Sequence, residues 1–83
     1  MLATVASVNS ANRLRTHLTN KYSISSRVIQ TPSALTKEGC GYSVKFDDKY
    51  KQIVIKSASE LRINVRAYFR EEINNEDVKY IKE

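Results

Sequence analysis

Cys40 is the chain's only cysteine, and it stands between the only two glycines, in Thr36-Lys37-Glu38-Gly39-Cys40-Gly41. A cysteine reacts through its thiolate, so its chemistry depends on whether the surroundings favour that charge and leave the sulfur reachable. Gly39 and Gly41 help with both. They remove side-chain bulk on either side, permit positive φ, and let consecutive amide hydrogens turn toward an anion. Lys37 would lower the thiol pKa and Glu38 would oppose it. Free cysteine is also among the most often buried residue types, so the tripeptide reads equally as a tight loop entering a strand.

Other chemistry finds little support. One cysteine forms no internal disulfide and excludes an internal dithiol redox cycle. With His17 as the single histidine there is no metal-ligand spacing, and a Cys-His nucleophile pair would need the first helix to turn His17 toward the loop. His17 reads instead as a boundary residue beside Leu18. Asp47-Asp48 and Glu71-Glu72 are better explained as a helix cap and a solvated strand end than as acid/base couples. No phosphate loop is present and no cofactor is called for.

The elements that would position Cys40 emerge from periodicity. Leu2 to Val8 is short and apolar, a buried strand, and Ser7 or Asn9 offers an oxygen to cap a helix after it. Ala11, Leu14, Leu18 and Tyr22 then fall at helical spacing. Ile24 to Gln30 reads as a second strand, ended by Thr31-Pro32 because proline lacks a ladder donor. Thr31 also suits the cap of one short turn through Ser33, Ala34 and Leu35. Beyond the cysteine loop, Tyr42, Val44 and Phe46 alternate with Ser43 and Lys45 as a third strand.

Tyr50, Ile53, Val54, Ser57, Ala58 and Leu61 repeat at helical spacing behind Asp47 and Asp48 as caps, which outweighs the local β-propensity of Gln52 to Ile55. Ile63 to Arg70 resumes period two, predicting a fourth strand with Ile63, Val65, Ala67 and Phe69 on one side. From Glu71 the signals compete: Asn74 or Asn75 before Glu76 and Asp77 resembles a helix start, yet Val78 and Tyr80 alternate. The order β-α-β-β-α-β predicts an α+β, ferredoxin-like split βαβ sandwich, with two helices on one face of a four-stranded antiparallel sheet. Ser43, Arg66 and Tyr68 are expected on its open face.

Eighty-three residues make one domain with a small core. Residues 1–70 hold twelve Lys and Arg against four Asp and Glu, a net +8, whereas residues 71–83 hold two against five, a net −3. The expected organisation is therefore a basic domain over 1–70 and an acidic tail over 71–83, with a short helix as one option for the tail. A basic body favours acidic proteins or nucleic acid as partners. No apolar run is long enough to span a bilayer and Met1 to Asn9 is too short and polar for a secretory signal, so the expected location is the cytoplasm.

Thr31-Pro32, Leu35 and Gly39-Cys40-Gly41-Tyr42-Ser43 together resemble a family of small bacterial proteins described as selenium/sulfur carriers, whose pattern is strand, helix, then Thr-Pro-x-x-Leu/Ile leading to Cys-Gly and an apolar strand. The resemblance covers residue 2 to about 70; the acidic tail lies outside it. It implies a carrier rather than a stand-alone enzyme, with Cys40 as the thiol that takes a sulfur or selenium atom from a donor and passes it to an acceptor. Gly39 and Gly41 would give access and amide hydrogen bonds, Thr31 and Pro32 would fix the loop, and Lys37 would support the anion. The basic body would dock a donor such as a cysteine desulfurase.

Two rivals share the residues. RNA-recognition domains have the same element order and carry their signature on the third strand. Here Cys40 replaces the first stacking aromatic and Lys45 the last, which leaves Tyr42, Lys45, Arg66 and Tyr68 as the residues for a nucleic-acid face. The third reading is an interaction domain in which Cys40 is merely structural.

Overall fold

The computed structural model describes residues 1–32, 35, 41–75 and 77–83, the side chain of Asn74 excepted. It opens with strand β1 (Leu2–Val5), whose four residues are all buried, followed by helix α1 (Val8–Tyr22). Ser7 starts the helix: in extended conformation it accepts the Ser10 N–H through Oγ at 3.2 Å. Ala11, Leu14 and Leu18 form the buried stripe. At the other end Ser23 takes a left-handed conformation (φ 56°), and the Ile24 N–H returns to the Leu18 carbonyl at 3.1 Å, closing the helix as a Schellman cap does.

Strands β2 (Arg27–Gln30) and β3 (Tyr42–Lys45) come next. Asp47 then caps a 3-10 turn over Asp48–Tyr50, accepting the Lys49 N–H at 3.1 Å, and the chain continues into α2 (Lys51–Glu60). The helix predicted over this stretch is thus a tight turn leading into an α-helix. Tyr50, Ile53, Val54, Ala58 and Leu61 all join the core, so periodicity overrides the β-prone Gln52 to Ile55.

Among the described residues the sheet is antiparallel throughout and has five strands, in the order β2-β3-β1-β4-β5, with β4 over Ala67–Asn74 and β5 over Asp77–Lys82. The expectation of four strands is corrected by the tail. Asn75 adopts positive φ (57°), which asparagine tolerates better than most residues, and this turns Asp77–Lys82 back along β4. The alternation of Val78 and Tyr80 prevails over the helix-start signal at Asn74 to Asp77.

The two faces of the sheet are set by the register. Ala3, Val44, Val28 and Tyr68 are mutual neighbours across the strands, and all four belong to or pack against the core made with Leu14, Leu18, Val54 and Ala58 from both helices. Leu2, Thr4, Ser43, Lys45, Ala67 and Phe69 therefore point the other way. This corrects the predicted faces of the fourth strand. Arg62 has positive φ (57°), the strand begins only at Ala67, and Ile63 and Val65 reach the core from the loop before it. Within β4, Tyr68 takes the helix side and Ala67 and Phe69 the opposite one.

Candidate functional site

Both ends of the segment that contains Cys40 are anchored in the sheet. Gln30 and Tyr42 are partners in the β2–β3 ladder, and one step further the Thr31 N–H donates to the Gly41 carbonyl at 3.0 Å. Thr31 Oγ1 lies 2.8 Å from Ser43 Oγ, and both residues are buried. Pro32 comes next, and its carbonyl accepts the Leu35 N–H at 2.9 Å; the turn expected through Ser33 and Ala34 falls on residues outside those described. Cys40, Gly39 and Lys37, the expected thiol and two of its supports, lie outside the described residues, as do Ser33 and Ala34.

Gly41 is the described residue nearest the thiol in sequence, and its backbone uses the freedom glycine provides. Its φ is +144°, and a Cβ there would stand 3.4 Å from Thr31 Oγ1 and 3.7 Å from the Val5 carbonyl oxygen. Gly41 forms part of a cleft of about 180 Å³ on the sheet face away from the helices, with Thr4, Thr31, Leu35, Arg66, Phe69 and Lys82 among its other walls. The Arg66 N–H donates to the Thr4 carbonyl at 2.8 Å, and Thr4 Oγ1 donates to the Ala67 carbonyl at 3.2 Å, so the polar floor is tied to backbone. Lys82 is held opposite Phe69 by the β4–β5 ladder.

The open face is less open than predicted. Leu2 and Ser43 are fully buried there and Thr4 nearly so. Leu2 sits between Lys45 and Phe69 in register, and Lys45 Nζ reaches Glu71 Oε2 at 3.5 Å across β1. Of the residues proposed for a nucleic-acid face, Tyr42 and Tyr68 pack against the helix-side core, which corrects the placement of Tyr68; Ser43, expected on the open face, is buried rather than solvent-facing. Lys45 is paired with Glu71, and Arg66 is exposed at the cleft. These positions do not form a common stacking platform.

His17 is remote from this cleft. It lines a groove with Arg13 and Lys21 on α1 and with Leu61, on the helix side of the sheet, and its Nε2 is 3.7 Å from Glu60 Oε2. Glu60 is engaged chiefly by Lys21 Nζ at 2.9 Å. That hydrogen bond holds the Glu60 carboxyl below its ordinary range and the Lys21 amine above its own.

Sequence reasoning found Thr31 and Gly41 but missed Ser43 as the partner of Thr31, and Thr4, Phe69 and Lys82 as cleft walls. The alternation of residues 42–46 put Ser43 on the open face correctly; its burial depends on neighbours that a single strand does not reveal. Lys82 belongs to the tail, whose register was unreadable without the turn at Asn75.

Among the described residues, no helix is long and apolar enough to cross a membrane. Compared with curated proteins and with solved structures, the chain matches none. A family model does match it, over residues 1–70, which include the Thr31-Pro32 to Cys40-Gly41 block. The chain belongs to the family described as "Putative Se/S carrier protein-like".

Proposed function

We propose that this chain carries a single sulfur or selenium atom on Cys40 between a donor protein and an acceptor protein. The Cys40 thiolate attacks the outer sulfur of a donor persulfide, R–S–SH. The new bond is Cys40 Sγ to that sulfur, the donor's S–S bond breaks, and the donor leaves as the thiolate R–S⁻, so oxidation state is exchanged with no external reductant. A donor R–S–SeH delivers selenium by the same exchange. An acceptor thiolate then repeats the step on the loaded Cys40 and restores its thiolate.

The observation that carries this reading is the family match over residues 1–70, with Cys40 inside it. The anchoring of Gly41 by Thr31 supports it, because it ties the residue that follows Cys40 in the chain to the end of the β2–β3 ladder. Gly39 and Lys37 are assigned to access and to the anion, and Thr31, Pro32 and Gly41 to the base of the loop. Residues 1–70 act as the carrier domain and 71–83 as an addition to it. The inner strand order β2-β3-β1-β4 fits a ferredoxin-like core that β5 extends. The donor is a cysteine desulfurase type of enzyme met in the cytoplasm by the basic 1–70 surface.

The test is thiol labelling of the folded protein near neutral pH, followed by mass spectrometry after incubation with a cysteine desulfurase and cysteine. Rapid labelling and the gain of one sulfur atom, absent in Cys40→Ala, are the expected results. A thiol that labels only on unfolding would leave Cys40 a structural residue and remove the proposal.

A further inference from the structure

Two cations, Arg66 and Lys82, line the cleft beside Gly41. Arg66 enters from the loop before β4 and Lys82 from β5, two segments that meet only because the tail folds back as a strand. Among the described residues no acidic side chain lines the cleft and neither cation is in an ion pair. The groove along α1 offers a contrast: there Lys21 already binds Glu60.

We infer that this cleft is a binding site for a small inorganic oxyanion, held by Arg66 and Lys82 with the Thr31 hydroxyl as a third donor. At about 180 Å³ the cleft suits a small ion, being below the roughly 300–1,000 Å³ of pockets for drug-sized molecules. The guanidinium fork matches two oxygens of one anion, which an ammonium alone does not do. Thr31 contributes through its pairing with Ser43. Ser43 is fully buried and is not among the cleft walls, so when Ser43 donates to Thr31 Oγ1 the Thr31 hydrogen is free for a ligand in the cleft. Leu35 and Phe69 add apolar walls beside the two cations.

The purpose assigned to the site rests on the carrier reading: an oxyanion of sulfur or selenium would be held beside the residue next after Cys40. The binding itself does not rest on it. The two are separated by working in Cys40→Ser, which has no thiol left to react with the probe.

Titration of full-length ¹⁵N-labelled Cys40→Ser with sodium sulfate, thiosulfate and selenite, against sodium chloride at matched ionic strength, is the experiment. Saturable amide shifts at Thr31, Gly41, Arg66 and Lys82 with the oxyanions but not with chloride are expected. Arg66→Gln and Lys82→Gln should each weaken binding roughly tenfold or more, the effect of losing one charged hydrogen-bond partner. Both side chains are exposed, so the variants should keep the dispersed spectrum of the parent. Shifts that never saturate, that chloride reproduces, or that survive both charge substitutions would overturn the site. Oxyanion binding in a protein whose Cys40 accepts no sulfur would leave the site standing and remove the carrier; sulfur loading without oxyanion binding would do the reverse.

Discussion

Thr31 Oγ1 and Ser43 Oγ lie 2.8 Å apart, both buried, on the two strand ends that bracket the Cys40 segment. Each hydroxyl is the other's partner, and Ser43 has no exposed surface of its own. Removing one leaves a buried polar group unsatisfied, at about 1–3 kcal/mol, whereas removing both exchanges the pair for apolar contact. Thr31→Val and Ser43→Ala should therefore each lower the denaturation midpoint, and the double variant should lose clearly less than the sum. Additive losses in this double-mutant cycle would mean that the two hydroxyls are not coupled.

Gly41 bears on the same contact from the backbone. At φ +144° an L-residue is strained whatever its size, and the Cβ of alanine would press toward Thr31 Oγ1 at 3.4 Å. Gly41→Ala should destabilise the fold by about 1–3 kcal/mol. Denaturant titration reads the loss. An unchanged midpoint would show that this backbone relaxes freely, and the Thr31–Gly41 bond would then not be a firm base for the loop.

The contacts at this base were only half legible in the sequence. Ser7, Asp47 and the helical stripes could be read because caps and period depend on residues close together in the chain. Thr31 and Gly41 could be singled out because proline and glycine punctuate locally. The burial of Ser43, the side taken by Tyr68 and the approach of Lys82 to Arg66 depend on register between distant strands. That register turns on single backbone conformations at Arg62 and Asn75, both with positive φ and neither glycine. A slip of one residue at such a point inverts every side chain beyond it, and periodicity carries no mark of where the inversion occurs.

The Lys21–Glu60 pair gives a pH prediction with two signs. Glu60 is held low by the Lys21 hydrogen bond, so its contribution is present above the ordinary carboxylate value and is lost as pH falls through the folded one. Lys21 is held high by the same bond; its contribution is present below the ordinary lysine value and is lost as pH rises through the folded one. Both groups are at the surface, so the effect on stability is small and shrinks with salt. Side-chain NMR titration should find both displacements, and Glu60→Gln should return Lys21 toward its usual value. A Lys21 pKa unmoved by that substitution would show that the pair does not form in solution.

Tyr68 offers the sharpest check on which way β4 faces. It pairs with Ala3 and packs against the helix-side core, and burial raises its phenol above the ordinary 10.0. In the unfolded chain the phenol ionises near its ordinary value, while in the folded protein it holds its proton longer. Between the two values the folded state binds more protons, so stability falls as pH rises across that window. Tyr68→Phe should leave stability at neutral pH within about 0.5 kcal/mol, as a substitution that removes no identified contact does, and should flatten the alkaline fall. Absorbance titration of the parent against Tyr68→Phe isolates the one phenol among five tyrosines. An ordinary pKa for it would put Tyr68 on the solvent side of the sheet, reversing the faces of β4 and withdrawing Phe69 from the cleft beside Gly41.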